Sequence, residues 1–596
     1  MLRPAGLRPA LLALALLSFG ACSSSGSPDA GAPAAAPLTP LPAPPGLLGE
    51  LFIPSPGATW GRARAGAGGP AVFLPQSFGG LAATLVGLPI TTSAEIDDAV
   101  PLVGAAVREG KGPVQGVVGL HVKAGDRFVD QLTRGEGARF NASVDAGSHV
   151  TLLTDKVAPE SARLALGVLG NYLLVAQKPA DLYAVGPYVV RTLSVAPQPR
   201  EEIAVELPEA ALAGPVLDAA RDMRAAGDGA MATLVPLTGL LDHAIELLGD
   251  AKHARITLTL DPGTVHARLV VTPKPGAGPG AKLVNELAVG DARPLLDLPE
   301  ATSLGLFWRE SAAARVENAP KQAEALAGLL GNVTAEDRAA ISVALRGEAA
   351  ARGDWQAVGI AFNGTGPSAV VRAPVSDVDG MRKALKQLVD LGGSAGFKTM
   401  LSDRGLKITS DKAVVENLAA DVMRVRLSRT DDDARDPAGK AGKPEKGKPD
   451  PKAKLDKAKK APEPAPGKET PKAVDLLYFV DKDGLFAAAG FDPKDSLRAL
   501  VKAPGGASLA GNAPMSSALA AVGADAAFVL IADALRINAM TTGTTPPEAP
   551  TPLVLAAGRT ASPSELWGRL DLPVPVLQML ITDYTRNRGA PRAPAQ

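Results

Sequence analysis

The stretch that most restricts how this 596-residue chain can fold runs from residue 430 to residue 473. It contains almost no large apolar side chain and is rich in lysine, proline and acidic residues. Such a composition cannot bury enough apolar surface to offset the chain entropy lost on folding. We therefore expect a Lys/Pro-rich disordered linker here, with folded structure on either side of it.

The residues outside this linker are predicted to form two folded units, because a chain of this length exceeds what one hydrophobic core usually organises. The expected units are a large α+β body over 47–429 and a small α+β C-terminal unit over 474–585, followed by a disordered tail over 586–596. An alternative stays open. The linker is then a long loop inside one fold, and the C-terminal part adds strands to the body before it.

Patterns of apolar and polar residues within the body predict an α+β fold of antiparallel hairpins with amphipathic helices packed on the sheet. Hairpins are expected over 255–271, 355–372 and 476–489, each with turn residues at its centre. A helix is expected after the second hairpin, where apolar residues recur at steps of three and four: Val378, Met381, Leu385 and Leu388.

A faint repeat of strand and helix suggests a duplication within the body. The first copy has strands over 117–122 and 172–175, each followed by a predicted helix. The second copy has strands over 358–362 and 406–409, and a helix is expected to begin near Asp411. The two copies match in pattern and hardly in sequence.

The chain has one cysteine, Cys22, which excludes an intramolecular disulfide and a thiolate metal cage. Arg3 and Arg8 precede a short apolar run over 10–20, and two small residues stand before the cysteine. This arrangement is typical of a signal peptide and is too short to span a bilayer. An ordinary secretory signal, cut at a nearby small residue, is the alternative to a lipidated cysteine.

The sequence Phe19-Gly20-Ala21-Cys22 resembles the lipobox of bacterial lipoproteins, although phenylalanine replaces the usual leucine. The resemblance implies a signal peptide over 1–21, acyl chains on Cys22 as the lipidation site, and a membrane as partner. Residues 22–46 are then a disordered tether, since they are mostly Ser, Gly, Ala and Pro. Ser23 implies the outer membrane, facing the periplasm or the cell surface. The body resembles uncharacterised envelope lipoproteins of high-GC Gram-negative bacteria.

Gly392-Gly393-Ser394-Ala395-Gly396 fits the G-x-S-x-G pattern of serine hydrolases. That chemistry needs a strand before the serine, whereas a helix is predicted through Val389. Glycine commonly ends a helix, so we interpret these glycines as a helix terminus. No catalytic residue is predicted.

The other candidate sites also have ordinary structural explanations. Five histidines show no metal-ligand spacing: His121, His149, His243, His253 and His266. Glu202 and Glu206 should lie on one solvated strand face, with acid and base work in sugar hydrolysis as the alternative for such a pair. Residues 481–484 should be a hairpin turn, since the third acidic ligand and the closing glutamate of a calcium loop are missing. The glycine run over 276–280 lacks the spacing of a phosphate loop. No metal and no cofactor is predicted.

Lysine plus arginine equals aspartate plus glutamate at 62 each, so no overall field favours nucleic acid. Residues 440–472 are locally basic, with eleven lysines and five acidic residues. This tract is predicted to be a soluble spacer, with contact to an anionic envelope polymer as the alternative.

Together these observations predict a lipid-anchored cell-envelope protein with a non-catalytic binding or scaffolding role, its partner an envelope protein or an anionic envelope polymer. The alternative function is a carrier of an apolar ligand such as a lipid, which requires an apolar cavity of several hundred cubic ångströms. A scaffold requires a filled core and an exposed patch. An envelope hydrolase, the least supported reading, requires a cleft where Ser394 or His243 meets other polar residues.

Overall fold

A computed structural model gives the fold of this chain. The residues that it describes are 39–67, 74–110, 112–134, 138–157, 164–227, 245–276, 278–331, 333–363, 366–418, 420–430, 473–560 and 564–589. They form an α+β structure, as the sequence predicts, in which the named strands pair antiparallel. The described residues divide into two compact units, one from those up to Gly290 together with those from Ala518 onwards, and the other from those between Asp291 and Ser517.

The strands are numbered in chain order. They are β1 Leu47–Ile53, β2 Leu102–Val107, β3 Gln115–His121, β4 Phe140–Val144, β5 Thr151–Asp155, β6 Ala165–Leu169, β7 Tyr172–Ala176, β8 Ile203–Pro208, β9 Ala251–Asp261, β10 Thr264–Pro273, β11 Leu304–Arg309, β12 Trp355–Asn363, β13 Gly366–Ala373, β14 Leu406–Ala413, β15 Val422–Arg429, β16 Ala473–Asp481, β17 Gly484–Gly490, β18 Ala526–Asp533, β19 Pro552–Thr560 and β20 Glu565–Pro573.

The helices of two turns or more are numbered in the same way. They are α1 Pro56–Ala67, α2 Phe78–Val86, α3 Gly125–Thr133, α4 Pro179–Arg191, α5 Leu217–Gly227, α6 Pro279–Glu286, α7 Ala312–Leu330, α8 Ala335–Ala351, α9 Val378–Leu391, α10 Ala395–Asp403, α11 Pro493–Lys502, α12 Ala513–Ala520, α13 Ala534–Thr542 and α14 Val574–Gly589. Within the described ranges, none of them combines the length and the apolar composition needed to cross a membrane.

The strands of the first unit pair in the order β4-β5-β6-β7-β3-β2-β1-β8-β9-β10-β20-β19-β18. Successive side chains of a strand point to opposite faces, so Phe52 and Ile53 of β1 enter different cores. Phe52 packs in the core that contains Val189 of α4, and Ile53 packs in the core that contains Phe128 of α3. Each fully buried side chain of this size stabilises the fold by about 1.5–3 kcal/mol.

The strands of the second unit pair in the order β11-β12-β13-β17-β16-β15-β14. Helix α9 lies on this sheet, and its fully buried Met381 packs in a core with Tyr478 and Leu485. The Asp377 side chain caps α9 by accepting a hydrogen bond from the Gly380 amide. The predicted helix and all three predicted hairpins are therefore confirmed.

A buried arginine holds α7 to the C-terminal end of α8 in this unit. The Arg315 guanidinium is 3% exposed and donates to the carbonyl oxygens of Ala349, Arg352 and Glu310, at 3.0, 2.6 and 2.6 Å. Carbonyls at a helix C-terminus lack partners within the helix and carry partial negative charge. Arg315 therefore satisfies groups that the helix itself leaves unpaired.

Two carboxylates surround the neighbouring Arg352. Its Nε lies 3.1 Å from Glu348 and its Nη2 lies 3.4 Å from Glu310. Burial raises the pKa of Glu348 and lowers the pKa of Arg315, because desolvation disfavours the charged form of each group. We call Arg315, Arg352, Glu310 and Glu348 the buried charge network.

The structure divides the chain differently from the predicted units 47–429 and 474–585. Strand β15, before the predicted linker, pairs directly with β16, after it. Residues 473–517 therefore complete the second unit, and β20 joins the first unit by pairing with β10. The C-terminal part thus adds strands to the structure before it, as the alternative expects, but these strands are divided between two compact units and do not complete one fold. Residues 431–472 lie outside the described ranges.

The helix predicted to begin near Asp411 is wrong, and with it the last element of the proposed duplication. Residue 411 lies inside β14, opposite Arg424 of β15. The Arg424 Nε donates to the Asp411 carboxylate at 2.7 Å. The cross-strand ion pair and the sheet hydrogen bonds outweigh the local helical pattern.

The end of the predicted disordered tether is held against the first unit. The Leu41 amide donates to Thr192 Oγ1 at 2.8 Å, and the same hydroxyl donates back to the Leu41 carbonyl at 2.8 Å. Gly46 has a φ of 72°, and a Cβ there would lie 2.2 Å from the Arg108 carbonyl oxygen. Residues 22–38 lie outside the described ranges, and α14 extends to Gly589, into the predicted tail 586–596.

Candidate functional site

A cleft of about 600 Å³ opens on one face of the first unit's sheet, over β8, β9, β10 and β20. We call it the sheet cleft. Its lining residues are mostly polar: Glu201, Glu206, His253, Arg255, Thr257, Arg268, Val270, Thr272 and Glu565. They share one face because β-strand side chains alternate, which sends Ile256 and Leu258 to the opposite face.

The carboxylates on one side of the sheet cleft surround Arg255. Its Nη2 donates to Glu201 at 2.8 Å, and its Nε lies 3.4 Å from Glu206. His253 Nε2 lies 3.0 Å from the second oxygen of Glu206. The donors and acceptors on this side are thus directed at one another.

Arg268, on the other side of the sheet cleft, is arranged differently. Its guanidinium carbon lies 5.9 Å from the centroid of the Trp567 ring, a cation–π contact. Trp567 is 5% exposed, and its Nε1 donates to Asp525 at 3.2 Å. Among the described residues no carboxylate lies within ion-pair distance of Arg268, which is exposed to solvent. The sheet cleft therefore contains one guanidinium, that of Arg268, which is oriented by the Trp567 ring and has N–H groups without a carboxylate partner among the described residues.

A glycine makes room for the ring that orients Arg268. A Cβ at Gly558 of β19 would lie 2.6 Å from Cζ2 of Trp567, closer than side-chain atoms approach one another. Gly558 is directly opposite Trp567 in the sheet. The close approach of the indole to the β19 backbone fixes the surface on which Arg268 stacks.

A pair of glutamates marks the border between the cleft and the part of the sheet that α4 covers. Glu50 of β1 lies directly opposite Glu206 of β8. The Tyr188 hydroxyl donates to Glu50, and burial together with this hydrogen bond raises the pKa of Tyr188. Each of the two like charges thus has its own partner, which limits their repulsion.

His266 lies on the same sheet face, beyond the cleft, and has a carboxylate near each ring nitrogen. Its Nδ1 lies 2.6 Å from Asp571 of β20, and its Nε2 lies 3.2 Å from Asp261. Asp571 is 5% exposed and also accepts a hydrogen bond from Arg569 Nε at 2.9 Å. The pairing of β20 with β10 places Asp571 directly opposite His266, a partner that the hairpin pattern alone does not contain.

The opposite face of this part of the sheet is apolar. Ile256 and Leu269 lie directly opposite each other on β9 and β10, and each is 37% exposed. Leu555 of β19 is exposed on the same face, next to Leu570. The sheet between β9 and β19 therefore presents charged groups on one face and partly exposed apolar groups on the other.

A second cleft, in the second unit, contains the serine of the G-x-S-x-G match. Ser394 follows α9 and caps α10, its Oγ accepting a hydrogen bond from the Phe397 amide at 3.2 Å. Thr334 caps α8 in the same cleft and donates to Asp337 at 2.8 Å. No histidine or lysine is among the described residues that line it. The strand-turn-helix geometry of a nucleophile elbow is absent at this serine.

The remaining candidates are dispersed. Glu202 accepts a hydrogen bond from the Leu260 amide at 3.3 Å and pairs with Arg62, so its partners differ from those of Glu206. His121 lies 3.3 Å from Asp97, and burial lowers the pKa of this imidazole. His149 occupies a turn with a φ of 58°. Cys22 and His243 lie outside the described ranges, and within those ranges no cluster suited to a metal ion was found.

The two short motifs set aside in the sequence have ordinary roles. Asp481 and Gly484 pair at the end of the β16–β17 hairpin, as predicted. Gly278 stands at the start of α6, where the Gly280 amide donates to the Asp250 carboxylate at 2.7 Å. A carboxylate of the chain itself thus occupies the position that a phosphate would take.

Comparison with known proteins adds little to this description. No family model and no curated protein matches the chain. Crystal form III of TP0453 aligns with a TM-score of 0.22 and 10% identity over 42% of this chain and 86% of that one. Crystal form I aligns with a TM-score of 0.21 and 8% identity over 41% and 81%. Crystal form IV aligns with a TM-score of 0.20 and 10% identity over 38% and 76%. A likeness at this level carries no argument about fold or function.

Sequence reasoning missed the sheet cleft because one side of it depends on β20, which supplies Glu565 and the Trp567 ring beside Arg268. Residues 565–573 alternate between polar and apolar side chains, which is a recognisable strand signal. That signal does not identify the strand's partner, which is β10, almost three hundred residues earlier in the chain. Arg268 could be placed on a hairpin from the sequence, but its stacking on Trp567 could not.

Proposed function

We propose that this chain is a lipid-anchored cell-envelope protein that binds another envelope component without catalysis, and that the sheet cleft is the binding surface. The anchor is Cys22, by its resemblance to a lipobox cysteine. The partner presents an anionic group, as an anionic envelope polymer or an acidic envelope protein does. The proposal assigns Arg268 the central contact.

The observation that carries this proposal is the state of Arg268. A guanidinium offers several donors in a fixed plane and suits carboxylate and phosphate groups. The stacking on Trp567 restricts the side chain before any ligand arrives, which lowers the entropy lost on binding. Because the neighbouring Arg255 already faces Glu201 and Glu206, an arriving anion competes with fewer internal partners at Arg268 than at Arg255.

The clefts favour this function over the two alternatives. A lipid carrier requires an enclosed apolar cavity, whereas both clefts described above are open and carry charged side chains. A hydrolase requires a nucleophile with a neighbouring base, whereas the Ser394 oxygen already accepts the Phe397 amide hydrogen bond. The exposed pair Ile256 and Leu269 gives a binding protein a second contact area.

The anchor is tested by intact mass and membrane fractionation of the wild type beside Cys22→Ala in a Gram-negative host. We expect the wild type in the membrane fraction with acyl mass on an N-terminal Cys22, and the variant in the soluble fraction. Soluble, unacylated wild type would show that the protein is simply secreted.

The cleft is tested by sedimentation of the purified full chain with peptidoglycan sacculi and with lipopolysaccharide. One charge-assisted contact contributes about 1.5–3 kcal/mol, so Arg268→Ala should weaken binding to one of these probes about tenfold or more. The matched control is Arg134→Ala, an exposed arginine at the end of α3. Equal binding by both variants would exclude the cleft and would direct attention to the lysine-rich residues 440–472.

A further inference from the structure

The edge strand β4 of the first unit has an unusual surface for an edge. Within the described ranges it pairs with β5 alone, in a regular register from Phe140 opposite Asp155 to Val144 opposite Thr151. Phe140 is buried, and the next four residues are exposed, with Val144 at 66%. One side of this strand is therefore open to solvent over most of its length.

The hydrogen bonds of the β4–β5 hairpin show which backbone groups face outward. The Asp145 amide donates to the Val150 carbonyl at 3.0 Å, and the Lys156 amide donates to the Arg139 carbonyl at 2.8 Å. Bonded pairs alternate with non-bonded pairs along an antiparallel ladder, so the odd-numbered residues of β4 bond to β5. The N–H and C=O groups of Phe140, Ala142 and Val144 then point away from β5, towards the open edge.

This edge lacks the features that usually prevent strands from associating. Proteins protect edges with charged side chains, proline or a bulge. β4 has the sequence Phe-Asn-Ala-Ser-Val and its register with β5 contains no bulge. The corresponding edge of the second unit, β14, is protected, since it carries Lys407, Asp411 and Lys412.

We propose that β4 pairs with β4 of a second copy of this chain, antiparallel, with the two-fold axis at Ala142. This register uses all three outward-facing residues of each copy. Ala142 is opposite Ala142, and Phe140 is opposite Val144. Each bonded pair of an antiparallel ladder exchanges two hydrogen bonds, which gives about six backbone hydrogen bonds across the two-fold axis.

The side chains of β4 are complementary to themselves in this register. Phe140, Ala142 and Val144 share one face, so apolar residues meet apolar residues across the axis. Asn141 meets Ser143 on the other face, where an amide can bond a hydroxyl. No charged side chain faces its like, and the exposed Val144 is covered by the second copy. A second copy therefore fits this edge with matched backbone and side-chain groups, and self-pairing of a strand gives the closed two-fold symmetry usual for dimers.

The register is tested by cysteine crosslinking of the full chain in a Cys22→Ser background. In a bonded antiparallel pair the Cα atoms are about 5.5 Å apart, within disulfide range, so Ala142→Cys should form a covalent dimer on mild oxidation. The matched control is Ser143→Cys, which is also exposed on the same strand. Its two cysteines are offset by two residues, with Cα atoms about 8 Å apart, and should not crosslink.

Self-association is tested separately by sedimentation equilibrium of the same background chain. We expect a concentration-dependent shift from monomer to dimer, and at least a tenfold weaker dimer for Ala142→Lys, which places two like charges opposite each other. Circular dichroism of Ala142→Lys shows whether the variant is folded. A monomeric background chain up to about 100 μM, or equal crosslinking at residues 142 and 143, would overturn the proposal.

Discussion

Arg315 and Arg268 show two ways in which this chain uses an arginine. Arg315 is buried in the second unit, and its nitrogens donate to three carbonyl oxygens around the end of α8. Arg268 is exposed on the first unit's sheet, stacked on Trp567, with no carboxylate within ion-pair distance among the described residues. The hydrogen-bond donors of Arg315 are used within the fold, whereas those of Arg268 can bind another molecule.

The comparison separates a charge that stabilises from a charge that recognises. A buried charge is tolerated only when its hydrogen bonds are satisfied, so its removal leaves unpaired groups behind. An exposed, oriented charge contributes little to folding and can contribute much to binding. The two residues should therefore respond oppositely in stability and binding measurements.

The largest expected effect is on stability, from Arg315→Met. Methionine fills much of the volume but leaves three carbonyl oxygens without donors and Glu348 with one cation fewer nearby. We expect the free energy of unfolding of the second unit to fall by about 3–5 kcal/mol. Urea unfolding, followed by circular dichroism, measures this as a lower midpoint.

Arg338→Met is the control for this prediction. Arg338 lies on the neighbouring helix α8, is 45% exposed, and has its Nη1 3.3 Å from Glu324. An exposed ion pair contributes about 0–1 kcal/mol. Equal losses at positions 315 and 338 would contradict a structural role for the buried charge network.

A smaller effect is expected from the titration of Glu348 in the same network. Its pKa is raised in the folded state by burial, so the folded protein holds this proton more tightly than the unfolded chain. The contribution of this carboxyl to the free energy of unfolding is greatest at pH values below its ordinary pKa near 4.5. The contribution is lost as the pH rises through the raised pKa. Glu348→Gln should flatten that decline, measured by urea unfolding between about pH 4 and about pH 8.

The exposed Glu336 of α8 supplies the comparison for the titration. Glu336→Gln makes the same chemical change on the same helix at an exposed position, outside the buried charge network. A rise of wild-type stability with pH over the same pH range, absent only in Glu348→Gln, would contradict this prediction. The ion pair with Arg352 would then affect the pKa of Glu348 more than burial does.

The sequence predicted local structure well because its signals are local. The hairpin around Asp261-Pro262-Gly263 and the helix with Met381 follow from turn chemistry and from a period of three to four residues. It could not place Arg315, since an arginine on α7 looks the same whether it faces solvent or the end of α8. It could not assemble the sheet cleft, since β10 and β20 are far apart in the chain. The missing information was in both cases long-range packing.

The smallest expected effect on stability is from Arg268→Ala in the sheet cleft. The variant loses one cation–π contact at an exposed site, which contributes about 0.5–1 kcal/mol, and leaves no carboxylate unpaired. Arg255→Ala, on the other side of the cleft, removes the partner of Glu201 and Glu206 and should lower the midpoint of thermal unfolding more. If Arg268→Ala were the more destabilising of the two, Arg268 would belong to the fold, as Arg315 does, and the case for the cleft as a binding surface would lose its main support. If Arg268→Ala stays close to the wild type in stability and still loses binding, the orientation of this guanidinium by Trp567 is a feature of recognition.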